Sequence, residues 1–167
     1  MQKFIISMLV SNQFGVLTRI SAMFGRRGFN IDSLTVGVSE DPEFSRMTVT
    51  MTGDDYSRDQ IVKQLAKLHD VKKIKVMDPA KAVSRELILV KVRSTKETRQ
   101  DIMDAVNVFR NRIIDYSPDV MIIEIAGDAN KIGAFIELMR PYGIIELSRT
   151  GIVSLDRGKE NLKEQKK

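Results

Sequence analysis

The feature that most constrains the fold is a change of apolar period that runs strand, helix, strand, strand, helix, strand and then occurs a second time. From Lys3 to Val10, Phe4, Ile6, Met8 and Val10 share one face of an alternating run. Val16, Leu17, Ile20, Met23 and Phe24 then follow helical spacing. Leu34 to Ser39 and Met47 to Met51 alternate again, around the turn Glu40-Asp41-Pro42-Glu43. A second helix is expected from Ser57, where Ser57 and Gln60 have capping-box spacing, with Ile61, Leu65 and Leu68 as its stripe. Lys72 to Met77 alternates once more, with Ile74 and Val76 inward. The order βαββαβ is the ferredoxin-like arrangement, with an antiparallel sheet covered by helices on one face.

After Asp78-Pro79-Ala80-Lys81 the order returns in a different sequence. Leu87 to Arg93 reads as a strand. Ser94 and Glu97 have capping-box spacing, and Ile102, Val106 and Phe109 form a helical stripe. Arg112 to Tyr116 and Val120 to Ala126 are strands, and Asp128 is placed to cap a helix burying Ile132, Phe135, Ile136 and Met139. Pro141 and Gly143 end that helix, and Ile144 to Leu147 and Ile152 to Leu155 complete the sheet. The fold class is therefore α+β, two ferredoxin-like βαββαβ units. The expected segments are 1–78, a linker at 79–84, 85–157, and a basic tail at 158–167.

The two sheets differ on their outward faces. In the first, Thr48, Thr50, Lys73 and Lys75 point away from the helices. In the second, Leu87 and Leu89 alternate with Ile88 and Val90, and Val120 and Ile122 with Met121 and Ile123. A strand apolar on both sides needs cover on both sides, so the second unit should bury its other face against another copy, the first unit or a partner.

The turn between the first strand and the first helix carries the candidate site. Gly15 opens the helix and lets a ligand approach bare backbone. The unpaired N–H groups of the first turn favour an anion such as a carboxylate. Gly28 is placed for a left-handed C-cap, and Asn12 and Asn30 flank the helix. Two readings of these asparagines stand side by side. They are cap or turn residues, or their carboxamides, each with donors and an acceptor, hold a zwitterion.

Several classes of function lack the residues they need. There is no Cys and a single His, so triads and thiolate or multi-histidine metal sites have nothing to draw on. No phosphate-binding glycine motif is present. RNA-recognition modules share the βαββαβ order but present aromatics on the central strands, where this chain has Met47, Thr48, Val49, Thr50 and Met51. Net charge is +5, of which residues 157–167 carry +3, so the body is only weakly basic and nucleic acid is not an expected partner. The tail reads as a solvated, frayed terminus. No run is long enough to cross a membrane, and the absence of Cys is compatible with the cytoplasmic location expected here.

The first unit resembles an ACT domain, the amino-acid-binding module of regulated metabolic enzymes. N-Q-F-G-V-L-T-R-I, R-R-G-F-N-I-D-S-L-T-V and D-P-E-F-S-R-M-T in the first half resemble the regulatory (small) subunit of acetohydroxyacid synthase, also called acetolactate synthase. E-L-I-L-V-K-V, F-R-N-R-I-I-D, I-A-G-D-A-N-K and L-S-R-T-G extend the likeness through the second half, over residues 2–158. The resemblance implies a non-catalytic chain that stimulates a large subunit and confers feedback inhibition by valine in branched-chain amino-acid biosynthesis. That large subunit would carry thiamine diphosphate, Mg²⁺ and FAD, and condense pyruvate with pyruvate or 2-ketobutyrate. No cofactor or metal is expected in this chain. The resemblance further implies a homodimer with valine between two ACT domains, contacted by Asn12, Asn30 and the backbone at Gly15, with Val16, Leu17 and Ile31 alongside. It therefore favours the zwitterion reading of the asparagines. A free-standing ACT-type sensor acting on transcription is the other class of function compatible with the first unit.

Overall fold

Alternation of Phe4, Ile6, Met8 and Val10 produces β1 (Gln2–Ser11), one of the two inner strands of a four-stranded antiparallel sheet. The computed structural model describes residues 1–164; the end of the expected basic tail, residues 165–167, lies outside the described residues. β2 (Ser33–Val38), β3 (Phe44–Gly53) and β4 (Val71–Val76) complete the sheet in the order β2-β3-β1-β4. The register pairs Ile6 with Val49 and Val76, and Met8 with Met47 and Ile74, so these residues share one face. α1 (Val16–Arg26) and α2 (Asp55–Leu65) cover that face, and Ile20, Phe24, Ile61 and Leu65 are buried against it.

β5 (Ala82–Arg93), β6 (Arg112–Tyr116), β7 (Val120–Gly127) and β8 (Ile144–Arg149) form a second antiparallel sheet in the order β6-β7-β5-β8, and β9 (Val153–Asp156) also pairs with β5. α3 (Arg99–Val108) and α4 (Ala129–Met139) supply Ile102, Val106, Ile132, Phe135 and Met139 to a second core with Ile88, Val90, Val92, Met121, Ile123 and Ile125. Both halves are thus the expected ferredoxin-like α+β units.

Two expected helix starts are placed differently. α2 is capped by Asp54, whose carboxylate accepts from the Ser57 N–H at 2.8 Å, because a carboxylate in extended backbone outcompetes the later hydroxyl. α3 begins after Thr98, and the Ser94 hydroxyl is buried without a hydrogen-bond partner rather than capping.

The chain divides into two compact units, Met1–Ser84 together with the segment from Ile152, and Arg85–Gly151. In this division residues 79–84 and 152–157 group with the first unit, whereas the sequence pattern ran a linker over 79–84 and the second unit through 157. The reason lies on the first sheet's outward face. Arg46 donates through Nη2 to the Ser154 carbonyl at 2.9 Å, and Lys75 bonds Asp156 at 2.8 Å and Glu160 at 3.2 Å. Lys163 meets Glu40 at 2.7 Å, and Leu162 is only 3% exposed. The Ser84 and Ser154 hydroxyls meet at 2.9 Å. The part of the tail up to Glu164 is therefore packed, not frayed, since it brings one leucine and countercharges to a face that carries Leu9, Arg46 and Lys75. Ser7, Thr48 and Thr50 are accordingly buried although they point away from the helices.

Candidate functional site

The site is built on the turn from β1 into α1. Gly15 is the N-cap of α1 at φ 79°, ψ −6°, a left-handed conformation that suits glycine, and no side chain caps the helix. Val16 N–H reaches only the Gln13 carbonyl, at 3.4 Å. At the other end Gly28 has φ 69° and the Phe29 N–H donates to the Phe24 carbonyl at 3.0 Å, the Schellman arrangement expected of that glycine.

Asn12 is not a helix cap. Its Nδ2 donates to the Pro42 carbonyl at 3.0 Å, and its Oδ1 accepts from the Ser45 hydroxyl at 3.2 Å. Its backbone N–H donates to Glu43 at 2.8 Å, so Asn12 ties the α1 entry to the β2–β3 hairpin. Each amide atom keeps further hydrogen-bonding capacity. Asn12, Gln13 and Phe14 line a shallow open depression, and the Phe14 side chain is fully exposed. Asn30 is exposed and makes one long contact, Nδ2 to Asp32 Oδ1 at 3.4 Å.

Leu17 is exposed and Ile31 half-buried beside the core. Val16 is buried in the core, so only its backbone faces the turn. α1, with 11 residues, stands between Asn12 and Asn30, and at 1.5 Å per residue that helix is roughly 16 Å long. One copy of the chain does not bring the two carboxamides together.

Two neighbours went unnoticed in the sequence. Arg19 donates through Nε to Asp70 Oδ2 at 2.6 Å and holds that carboxyl below its usual range. A Cβ on Gly15 would lie 3.0 Å from Arg19 Nη1. Arg19 stands four residues after Gly15, a spacing visible in the sequence. Ser45 is 33 residues from Asn12, and only the hairpin register brings them together. Among the described residues no group of three or more His, Asp or Glu is placed to hold a metal ion, and no helix is long and apolar enough to cross a membrane.

The fold and this turn define an ACT-type regulatory module joined to a second ferredoxin-like unit. Residues 6–73 match the family described as the AHAS small subunit-like ACT domain, and residues 85–158 match the small subunit of acetolactate synthase. A probable acetolactate synthase small subunit of Methanothermobacter thermautotrophicus is 49% identical over 159 residues, covering 95% of each chain. The acetolactate synthase small subunit of Mycobacterium bovis is 44% identical over 153 residues, covering 92% of this chain and 91% of its own. The crystal structure of the acetolactate synthase small subunit from Thermotoga maritima superposes with a TM-score of 0.86 at 43% identity, over 96% of this chain and all of that one. The chain belongs to the acetolactate synthase small-subunit family, the regulatory, non-catalytic subunits that act with a catalytic large subunit.

Proposed function

We propose that this chain is a cytoplasmic homodimer that binds valine at the α1 entry, stimulates the acetolactate synthase large subunit, and transmits feedback inhibition to it. The observation that carries the ligand reading is the placement of Asn12 and Asn30, exposed at opposite ends of one helix. A twofold axis perpendicular to α1 sets the helices of two copies antiparallel, so the Asn12 end of one can meet the Asn30 end of the other. The edge strand β2 supports such pairing, because its outer flank is open and Val36 and Val38 are exposed on it. In this arrangement the N–H groups of Gly15 and Val16 take the ligand carboxylate, the carboxamides hold its charged ends, and Leu17 and Ile31 flank its isopropyl group. Discrimination against homologues is modest, since one methylene is worth about 1–3 kcal/mol. Thiamine diphosphate, Mg²⁺ and FAD belong to the large subunit in this scheme.

The test is Asn30→Ala assayed with the large subunit across a valine titration. A hydrogen bond to a charged group is worth about 1.5–3 kcal/mol, so inhibition should need about 10- to 100-fold more valine while stimulation persists. Parallel loss of stimulation in a folded variant would place Asn30 in the subunit contact instead.

A further inference from the structure

We propose that Arg19 reads the ligand's carboxylate and that Asp70 is the positioning residue that aims it; the assignment rests on the valine reading above. Arg19 lies one turn into α1, and helical side chains lean toward the N-terminus, which carries its guanidinium back over the α1 entry. Asp70 fixes the Nε edge at 2.6 Å. Asp70 is itself anchored, because its backbone carbonyl accepts from the Ser11 N–H at 2.9 Å, at the end of the strand that leads into Asn12. Nη1 then lies against the bare flank of Gly15, at 3.0 Å from where a Cβ would stand. A Cβ at position 15 would crowd the guanidinium, which would have to shift by a few tenths of an ångström, so the bare glycine leaves that end of Arg19 room at the turn.

Three features separate this arrangement from a surface ion pair. The Arg19 side chain is 50% exposed while that of Asp70 is 14% exposed, so the carboxylate is the held partner and the far edge of the guanidinium opens outward. Asp70 is the sole ion-pair partner of Arg19 among the described residues, and it engages Nε, leaving the Nη hydrogens for a second carboxylate. Those hydrogens border the same turn that presents the first-turn N–H groups of α1, where Val16 has only its long contact to Gln13. A planar guanidinium can be held by one edge and bind by another, which the single ammonium of a lysine cannot do. The ligand class is a free α-carboxylate, so the site should reject amino acids whose carboxyl is amidated.

Calorimetric titration of the full-length chain with L-valine and with L-valinamide tests this. The wild-type chain should bind valine and strongly prefer it to valinamide. Arg19→Gln should weaken valine about 10- to 100-fold and leave valinamide within twofold, abolishing the preference. Arg19→Lys should restore little, and Asp70→Asn should give a smaller loss of the same carboxylate-dependent kind. An Arg19→Gln chain that binds valine as tightly as wild type would overturn the assignment. So would equal losses for both ligands, which would make Arg19 and Asp70 a tether for α1. A wild-type chain that takes up no branched-chain amino acid would overturn the valine reading and this assignment with it.

Discussion

The outward face of the first sheet carries Ser7, Leu9, Arg46, Thr48 and Lys75, and the chain's own C-terminal segment covers it. The corresponding face of the second sheet carries Leu87, Leu89 and Ile122, which stay half-buried, beside Lys91, Glu124, Glu146 and Ser148. Both faces mix apolar and polar residues, so hydrophobic burial alone does not decide which of them is covered. The difference teaches that cover on the first face is obtained by matching charges, with Lys75 against Asp156 and Glu160, and by a carbonyl offered to Arg46. The match is incomplete: Ser7 Oγ, Arg46 Nε and Asp156 Oδ2 are buried without partners, and burial depresses the pKa of the Arg46 guanidinium.

The contrast can be broken most severely at Leu162. Leu162→Ala removes a buried side chain from the cover and should cost about 2–5 kcal/mol. Hydrogen exchange should show the loss in β1 and β3, with β5 to β8 protected as before.

Acid should act next in size, and again on the first unit. Glu40, Asp54 and Asp70 have lowered pKa values, through Lys163, the Ser57 cap and Arg19 respectively. In the second unit the Glu97 carboxyl is lowered, through Thr95. A carboxylate whose folded pKa is depressed contributes stability above its unfolded value, and that contribution is lost as pH falls through the folded one. Below the ordinary values of 4.5 and 3.8, protection in the first unit should therefore fall before that in the second. Coincident loss in both units would break the contrast.

The smallest effect is expected at Leu89. Leu89→Ser on the half-buried face should cost less than about 1 kcal/mol, since only part of a leucine's burial is at stake. Equilibrium denaturation beside Ile88→Ala, a fully buried neighbour expected to cost about 2–5 kcal/mol, measures the ratio.

The elements were readable from the sequence because strand and helix periods are local. Gly15 and Gly28 were readable as well, since a left-handed backbone leaves few choices of residue. The cover of the first sheet was not. Nothing near Asp156 announces a partner 81 residues away, and the run Ile152 to Leu155 continues the alternation of the second unit's strands. Ser45 behind Asn12 escaped for the same reason. The motif resemblance supplied the candidate ligand residues, but the orientation of the Asn12 amide depends on the hairpin register.

One consequence concerns the order in which the protein can be finished. The first unit is interrupted: its last pieces, β9 and the segment to Leu162, are encoded after the whole of the second unit. During synthesis the first sheet emerges early but lacks its cover until the segment from Ile152 to Leu162 has left the ribosome. The second unit, contiguous from Arg85 to Gly151, has no such wait. The half of the chain that is translated first is thus completed last, and closing it requires contacts of long sequence separation, the slow kind to form.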